Sequence, residues 1–440
     1  MAERFFIETL GCPKNAVDSD KVVASLLHDG LVPAEAASDA DLIVVNTCAF
    51  VEAARQESIE VALALSEERR SGAKLVVTGC MAERYGEELA AALPEADAVV
   101  GFADEGDLAE VVLRGRKPRG VRDLLELPRP ASAVPWAYVK VAEGCDRACA
   151  FCAIPTFRGK QRSRTAESIE AEARALVASG VSELVLVAQD LAWYGRDIGE
   201  PGSLAPLLRR LDALRGDGLT RVRLLYLYPS EVRDPLVETM LELESVVPYF
   251  DLSLQHASPG LLRRMKRWGS GDRFTEIIEG IRSRAPRAAF RSSFIVGFPG
   301  ESEADHDELL AFLAAVRLDW AGFFPFSLED GTPAAAMDGS VPTRLMQDRL
   351  RECSELQDPI TQGARDAMVG EEVQVLVDTI DETSGELIGR TEREAPQIDG
   401  VVRLAAGAFA RPGALVTATV TGAIGPDLTA EAVVSSARAS

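Results

Sequence analysis

Short apolar runs of β-strand character alternate with helical stretches twice along this chain, and a proline-bearing segment separates the two series. Strands alternating with helices imply βαβ units and parallel sheets, with loops at the strand C-terminal ends free to carry chemistry. In residues 1–115 the strand-like runs are 5–10, 41–46, 74–79 and 97–101, and the helical ones are 18–29, 50–70 and 82–93. Residues 116–135 hold four prolines that interrupt the pattern and read as a linker. Strand candidates then recur at 136–142, 183–188, 222–228, 250–254, 290–296 and 320–326, so 136–368 reads as an incomplete or closed (β/α) barrel. The tail, 370–440, carries short β-rich runs separated by Gly and Pro and reads as a small five-stranded β-barrel. The expected class is α/β: a parallel α/β domain, a (β/α) barrel and a small β-barrel.

Seven cysteines are an odd set for closed disulfides and suit metal ligation in a reducing compartment. Glu3 and Glu8 interrupt the only apolar stretch at the N-terminus, and no run approaches the ~20 apolar residues of a membrane span. The expected location is the cytoplasm, with no membrane partner. A net charge of −22 disfavours nucleic acid and favours basic protein partners.

Cys145, Cys149 and Cys152 form C-x3-C-x2-C just past the first barrel strand. Three thiolates on one loop can hold three irons of a 4Fe–4S cube and leave the fourth open to a substrate's amino and carboxylate groups. A structural zinc site is the bland alternative; it needs a fourth ligand, for which only His256 is well placed in the sequence. Gln189 and Asp190, Tyr228, Gln255 and His256, and the turn from Gly297 to Gly300 and Glu301 all follow strands, where a barrel keeps its site. The glycines would let backbone approach a ligand closely.

Cys12, Cys48 and Cys80 are distant in sequence, yet each directly follows a strand of the first series. In a parallel sheet those ends share one edge, so the three thiols can converge on a metal. The alternative is three packed strand-end cysteines. Cys353, in a helical stretch, reads as structural.

The triplet with Phe151 before its last cysteine, on a partial barrel, resembles the radical S-adenosylmethionine (SAM) superfamily. Both triplets and the domain order resemble the methylthiotransferases, in which an N-terminal cluster domain precedes the radical barrel and a β-barrel called TRAM follows it. One branch modifies adenosine in transfer RNA and the other an aspartate of ribosomal protein number twelve. GCPKNAVDSD (11–20), NTCAFVEAARQESIE (46–60), AEGCDRACAFCAIPTFRGKQRSR (142–164) and RLLYLYPSE (223–231) resemble the ribosomal-protein branch. Asp20 replaces a usual Glu, and QDLAWYG (189–195) replaces a Thr-rich run.

The resemblance implies two 4Fe–4S clusters, with all six cysteines as metal ligands and catalytic groups. It implies that Phe151, Gln189, Asp190, Gln255, Gly297 and Gly300 bind SAM, and that a reduced flavodoxin or ferredoxin supplies electrons. A 5′-deoxyadenosyl radical would take hydrogen from the aspartate β-carbon, and sulfur bearing a methyl group would come from the N-terminal cluster. The alternatives are a transfer-RNA methylthiotransferase and a non-catalytic electron carrier. Residues 371–440 hold eleven acids and five bases, with Phe409 as the sole aromatic, which fits a basic protein partner better than RNA, or else serves solubility alone.

Overall fold

A computed structural model describes residues 2–118, 123–405 and 410–433. Phe409 lies outside them. The N-terminal unit runs β1 (Arg4–Thr9), α1 (Pro13–His28), β2 (Val32–Pro33), β3 (Leu42–Thr47), α2 (Glu52–Glu68), β4 (Lys74–Gly79), α3 (Cys80–Ala92) and β5 (Ala98–Val99). Its parallel sheet has the order β2-β1-β3-β4-β5. The central strand β3 is buried along its whole length, as helix cover on both faces requires. Helix α1 begins at Pro13, five residues before the helix expected at 18–29, because proline suits the first helical position, where no amide partner is needed. The expected strand at 97–101 shrinks to two residues. Leu124 and Leu125, inside the expected linker, are buried, and Lys21 Nζ donates to Leu125 O at 2.6 Å. Leu124 and Leu125 are therefore docked on the first domain.

The central unit contains β6 (Trp136–Lys140), β7 (Ala142–Glu143), α4 (Ile154–Phe157), β8 (Arg162–Ser163), α5 (Ala166–Ala178), β9 (Glu183–Val187), α6 (Leu204–Asp212), β10 (Arg221–Leu224), α7 (Asp234–Glu242), β11 (Tyr249–Gln255), α8 (Pro259–Arg264), α9 (Gly271–Arg282), β12 (Ala289–Val296), α10 (Glu303–Val316), β13 (Trp320–Pro325) and α11 (Thr343–Asp366). Three parallel strands, β6-β9-β10, meet three more, β11-β12-β13, through the Val222–Val246 and Leu227–Leu252 bridges. Among the described residues β13 does not pair with β6, so the barrel is open on that side. Helix α1 packs against β6, and Val17 joins Tyr138, Val185, Val187 and Leu225 in the core inside the barrel.

Strands β14 (Glu372–Ile380), β15 (Leu387–Arg390), β16 (Val402–Leu404), β17 (Leu415–Ile424) and β18 (Asp427–Ala432) close a five-stranded barrel. This barrel docks on the N-terminal ends of the central strands, opposite the cysteine loops. Tyr249 Oη donates to Asp399 at 2.6 Å, and Ala395 enters the inner core of the larger barrel from below. Burial pushes the Asp399 carboxyl up to about 6, although Arg291 pulls it the other way. Part of the tail's acidity is thus consumed internally: Asp378 pairs with Arg390 at 2.6 Å and Glu394 with Arg365 at 2.6 Å. Glu372, Glu382 and Glu431 stay exposed. Among the described residues no helix is long and apolar enough to cross a membrane.

Glu183 sits at the centre of this junction, pairing with Arg223 and Arg390, both at 2.8 Å, with all three side chains buried. Removing it leaves the buried Arg223 guanidinium without its carboxylate, while Arg390 keeps only Asp378, and breaking a buried pair in this way costs about 3–5 kcal/mol. Glu183→Ala should therefore loosen the small barrel and speed proteolysis near the exposed Val369. Unchanged cleavage kinetics would contradict the junction's role.

Candidate active site

The central cysteine loop is shaped by close backbone crossings. Gly144 has φ +77°, and a Cβ there would lie 2.1 Å from Lys160 O, so only glycine fits. Cys145 N donates to Gly159 O at 3.1 Å, Ala150 N to Met265 O at 2.9 Å and Cys152 N to Cys149 O at 3.2 Å. Arg147, inside the loop, donates to Asp190 at 2.7 Å and Glu231 at 3.2 Å. Its guanidinium lies 3.9 Å from the centre of the Tyr228 ring, which Arg267 also approaches, at 4.0 Å. Arg267 in turn reaches Cys149 Sγ at 3.4 Å. Burial pushes the Cys145 thiol up to about 11 and, together with the Cys149 charge, the Cys152 thiol up to about 12. Both must release a proton to ligate metal.

The sequence-predicted residues around this loop fall into two groups. Asp190 and Gln189 are beside it: Gln189 Nε2 donates to Glu143 at 2.6 Å, while Gln189 Oε1 and Asp190 Oδ1 are buried with no partner among the described residues. Such acceptors suit a ligand bearing N–H donors. Phe151 is half-buried against the barrel core, and Gln255 ends β11 at φ +73°, a costly conformation for a non-glycine residue. Gly297 and Gly300 also have positive φ, but protein atoms account for their size: a Cβ would lie 2.1 Å from Met346 and 2.8 Å from Arg264. Gly297 N donates to Glu301. His256 accepts from Ser258 N at 3.1 Å and faces Glu301 at 3.8 Å, turned toward that network. Cys353 is buried in α11.

Cys12, Cys48 and Cys80 follow β1, β3 and β4, and all are free thiols. Gly11 has φ +94°, and a Cβ there would lie 2.8 Å from Cys48 Cβ. Asn15 ties the three turns together. Its Nδ2 donates to Leu10 O and Thr47 O, both at 2.9 Å, and its Oδ1 faces Cys80 Sγ at 3.5 Å. Burial pushes Cys80 up to about 12 and raises Cys48. Burial would raise Cys12 too, but Lys14 and Arg158 outweigh it and hold that thiol below its ordinary value.

Arg158 connects the two triplets. It follows α4 in the central loop, yet its Nη2 reaches Cys80 Sγ at 3.0 Å and Asn15 Oδ1 at 2.7 Å. It also pairs with Glu143 at 2.9 Å and Asp18 at 3.3 Å, and Lys140 binds the same two carboxylates. Arg158 and Lys140 hold the buried Glu143 well below the usual carboxylate range, against the effect of burial. Glu329, beyond β13, adds a second clamp through Arg55 and Arg84, both at 2.6 Å. The N-terminal domain thus caps the strand ends that carry the central loop.

Among the described residues no three His, Cys, Asp or Glu side chains crowd together to hold a single metal ion. Cubane ligands attach to separate irons, so they need not crowd one centre. The donor set, six free thiols in two groups with unpartnered acceptors beside one, fits two iron–sulfur clusters and an amino-acid-bearing ligand.

Family models match at residues 4–101 (Uncharacterized protein family UPF0004), 139–313 (Radical SAM superfamily) and 369–433 (TRAM domain). The chain is 43% identical to the ribosomal protein uS12 methylthiotransferase RimO of Kineococcus radiotolerans, over 97% of this chain and 96% of the relative. The chain belongs to the radical SAM family of uS12 methylthiotransferases. The protein of the same name from Desulforudis audaxviator is 44% identical over 98% of this chain and 97% of its own. Among solved structures, the radical SAM methyltransferase TsrM from Kitasatospora setae shares the fold, with a TM-score of 0.57 and 15% identity over 76% of this chain and 77% of its own.

Asn15, Arg158 and Glu143 carry no role in the sequence reading, although all lie within family-like motifs. Asn15→Ala removes the donor to the part-buried Leu10 O and the buried Thr47 O. We expect the metal-free protein to lose about 2–4 kcal/mol in chemical denaturation. A loss below about 0.5 kcal/mol would show that Asn15 does not tie the turns.

Proposed function

We propose that this protein methylthiolates the β-carbon of an aspartate in ribosomal protein uS12 by radical SAM chemistry. The observation that carries the proposal is the pairing of two free-cysteine triplets across one domain junction, in a chain matching uS12 methylthiotransferases over almost its whole length. Cys145, Cys149 and Cys152 would hold one cluster, and Cys12, Cys48 and Cys80 the other. When bound, the first cluster supplies reductive cleavage of SAM to the 5′-deoxyadenosyl radical, and the second supplies the sulfur that carries methyl.

The chain's own residues bind, orient and shield. Arg147 and Arg267 hold the central loop against Tyr228, and Gln189 and Asp190 offer acceptors to SAM. Phe151 and Gln255 would line the rest of that ligand's site. The cap of α1 and the Asp18–Lys140–Glu143–Arg158 network keep bulk water from the junction. A reduced flavodoxin- or ferredoxin-type protein would donate electrons, and the cytoplasm is the fitting location for an enzyme that modifies a ribosomal protein. The transfer-RNA reading is not favoured, since relatives at 41–44% identity carry the uS12 name.

The two triplets should divide the reaction. Cys149→Ala should abolish 5′-deoxyadenosine formation. Cys48→Ala should retain it but yield no methylthio product when uS12 and transfer RNA are each incubated with enzyme and weighed. Product on transfer RNA alone, or normal product from Cys48→Ala, would overturn the assignment.

The exposed acids of the small barrel should speed capture of basic uS12. Reversing Glu372, Glu382 and Glu431 to Lys together should slow association several-fold at low salt and little at high salt, because exposed charges are screened. Equal slowing at both salt concentrations would contradict an electrostatic role.

A further inference from the structure

Lys14 occupies an unusual position for a cation. It lies in the first turn of α1, where the helix dipole disfavours positive charge, and it is only 8% exposed. Among the described residues its Nζ has no carboxylate partner; it lies 3.5 Å from the centroid of the Tyr226 ring, and its charge also acts on the Cys12 thiol two residues earlier. A largely buried lysine without a carboxylate partner is costly, so an anion that arrives later is the economical explanation.

Its surroundings place that partner at the reaction centre. Lys14 belongs to the turn carrying Cys12, while Tyr226 sits at the C-terminal end of the third barrel strand. Tyr226 and Gln255, on adjacent strands, both adopt positive φ, at 64° and 73°. Strain of this kind in bulky residues concentrates where ligands are held. Asp251 supports the arrangement by accepting from Tyr226 N at 2.9 Å.

The neighbouring cations are already committed. Arg158 is bound to Asp18, Glu143, Asn15 and Cys80. Lys140 binds Asp18 and Glu143, and Arg147 binds Asp190 and Glu231. Arg267 donates to Cys149 Sγ and Ser253 O. A carboxylate entering this space would lose its hydration and find Lys14 as its available countercharge. We infer that Lys14 receives the carboxylate of the target aspartate and thereby selects an acidic side chain for methylthiolation.

This inference rests on the proposed uS12 chemistry, and its test separates the two. Cluster-loaded enzyme with SAM is titrated with uS12 and with uS12 bearing asparagine at the target position, and dissociation constants are read by fluorescence anisotropy. Wild type should prefer the aspartate form by about 10- to 100-fold, the range of a charge-assisted hydrogen bond. Lys14→Met should reduce that ratio to about one, and Lys14→Arg should restore much of it. If Lys14→Met does not load iron, Lys14→Gln provides the neutral variant. A wild-type ratio in the neutral variant, or equal weakening toward both proteins, overturns the inference, as does weakened SAM binding with the ratio preserved. Absence of methylthio product on uS12 with wild-type enzyme would instead overturn the proposed function, and the inference with it.

Discussion

The guanidinium of Arg158 belongs to the central cysteine loop but spends its hydrogen bonds on the N-terminal domain. It touches Cys80 Sγ and Asn15 Oδ1 on one side and Glu143 on the other, with Asp18 closing the ring. A buried charge is tolerable only when its partners surround it, and here the partners come from two domains. The ring therefore fixes the relative placement of the two triplets, because neither domain can move away without stranding ions. Lys140 adds a second cation to the same carboxylates, so the junction's electrostatics are balanced within the protein.

The remaining architecture serves that junction. The open side of the barrel lets α1 approach β6 and insert Val17 into the inner core, which places Cys12 and Lys14 over the strand ends. The small β-barrel fills the opposite end, where Glu183, Arg223 and Arg390 interlock and Ala395 completes the core. Closing the floor with protein directs access to the cysteine face. The tail is therefore both a structural plug and, through its exposed acids, a charged outer surface.

The three-domain order, the strand ends bearing cysteine and the five-stranded tail barrel were legible because they rest on local periodicity and spacing. Residues whose role depends on tertiary approach were not. Nothing local marks Asn15 as the tie among three turns, nor Arg158 as a bridge to a cysteine 78 positions earlier in the chain. The glycines at 297 and 300 were legible as conformationally special, but the spacing could not tell a ligand from Met346 and Arg264 as the close neighbour. The acidity of the tail overstated its free surface charge, since Asp378, Glu394 and Asp399 face arginines.

Amide hydrogen exchange tests most directly whether one buried ion network holds both triplets. Asp18→Asn removes a charge that Arg158 and Lys140 share, and it lies in neither cysteine loop. If the network locks the junction, protection should fall together in residues 10–16 and 144–160, by about 10- to 100-fold, for a network worth roughly 1.5–3 kcal/mol of the locked state. Loss confined to residues 10–16, with the central loop unchanged, would contradict the account.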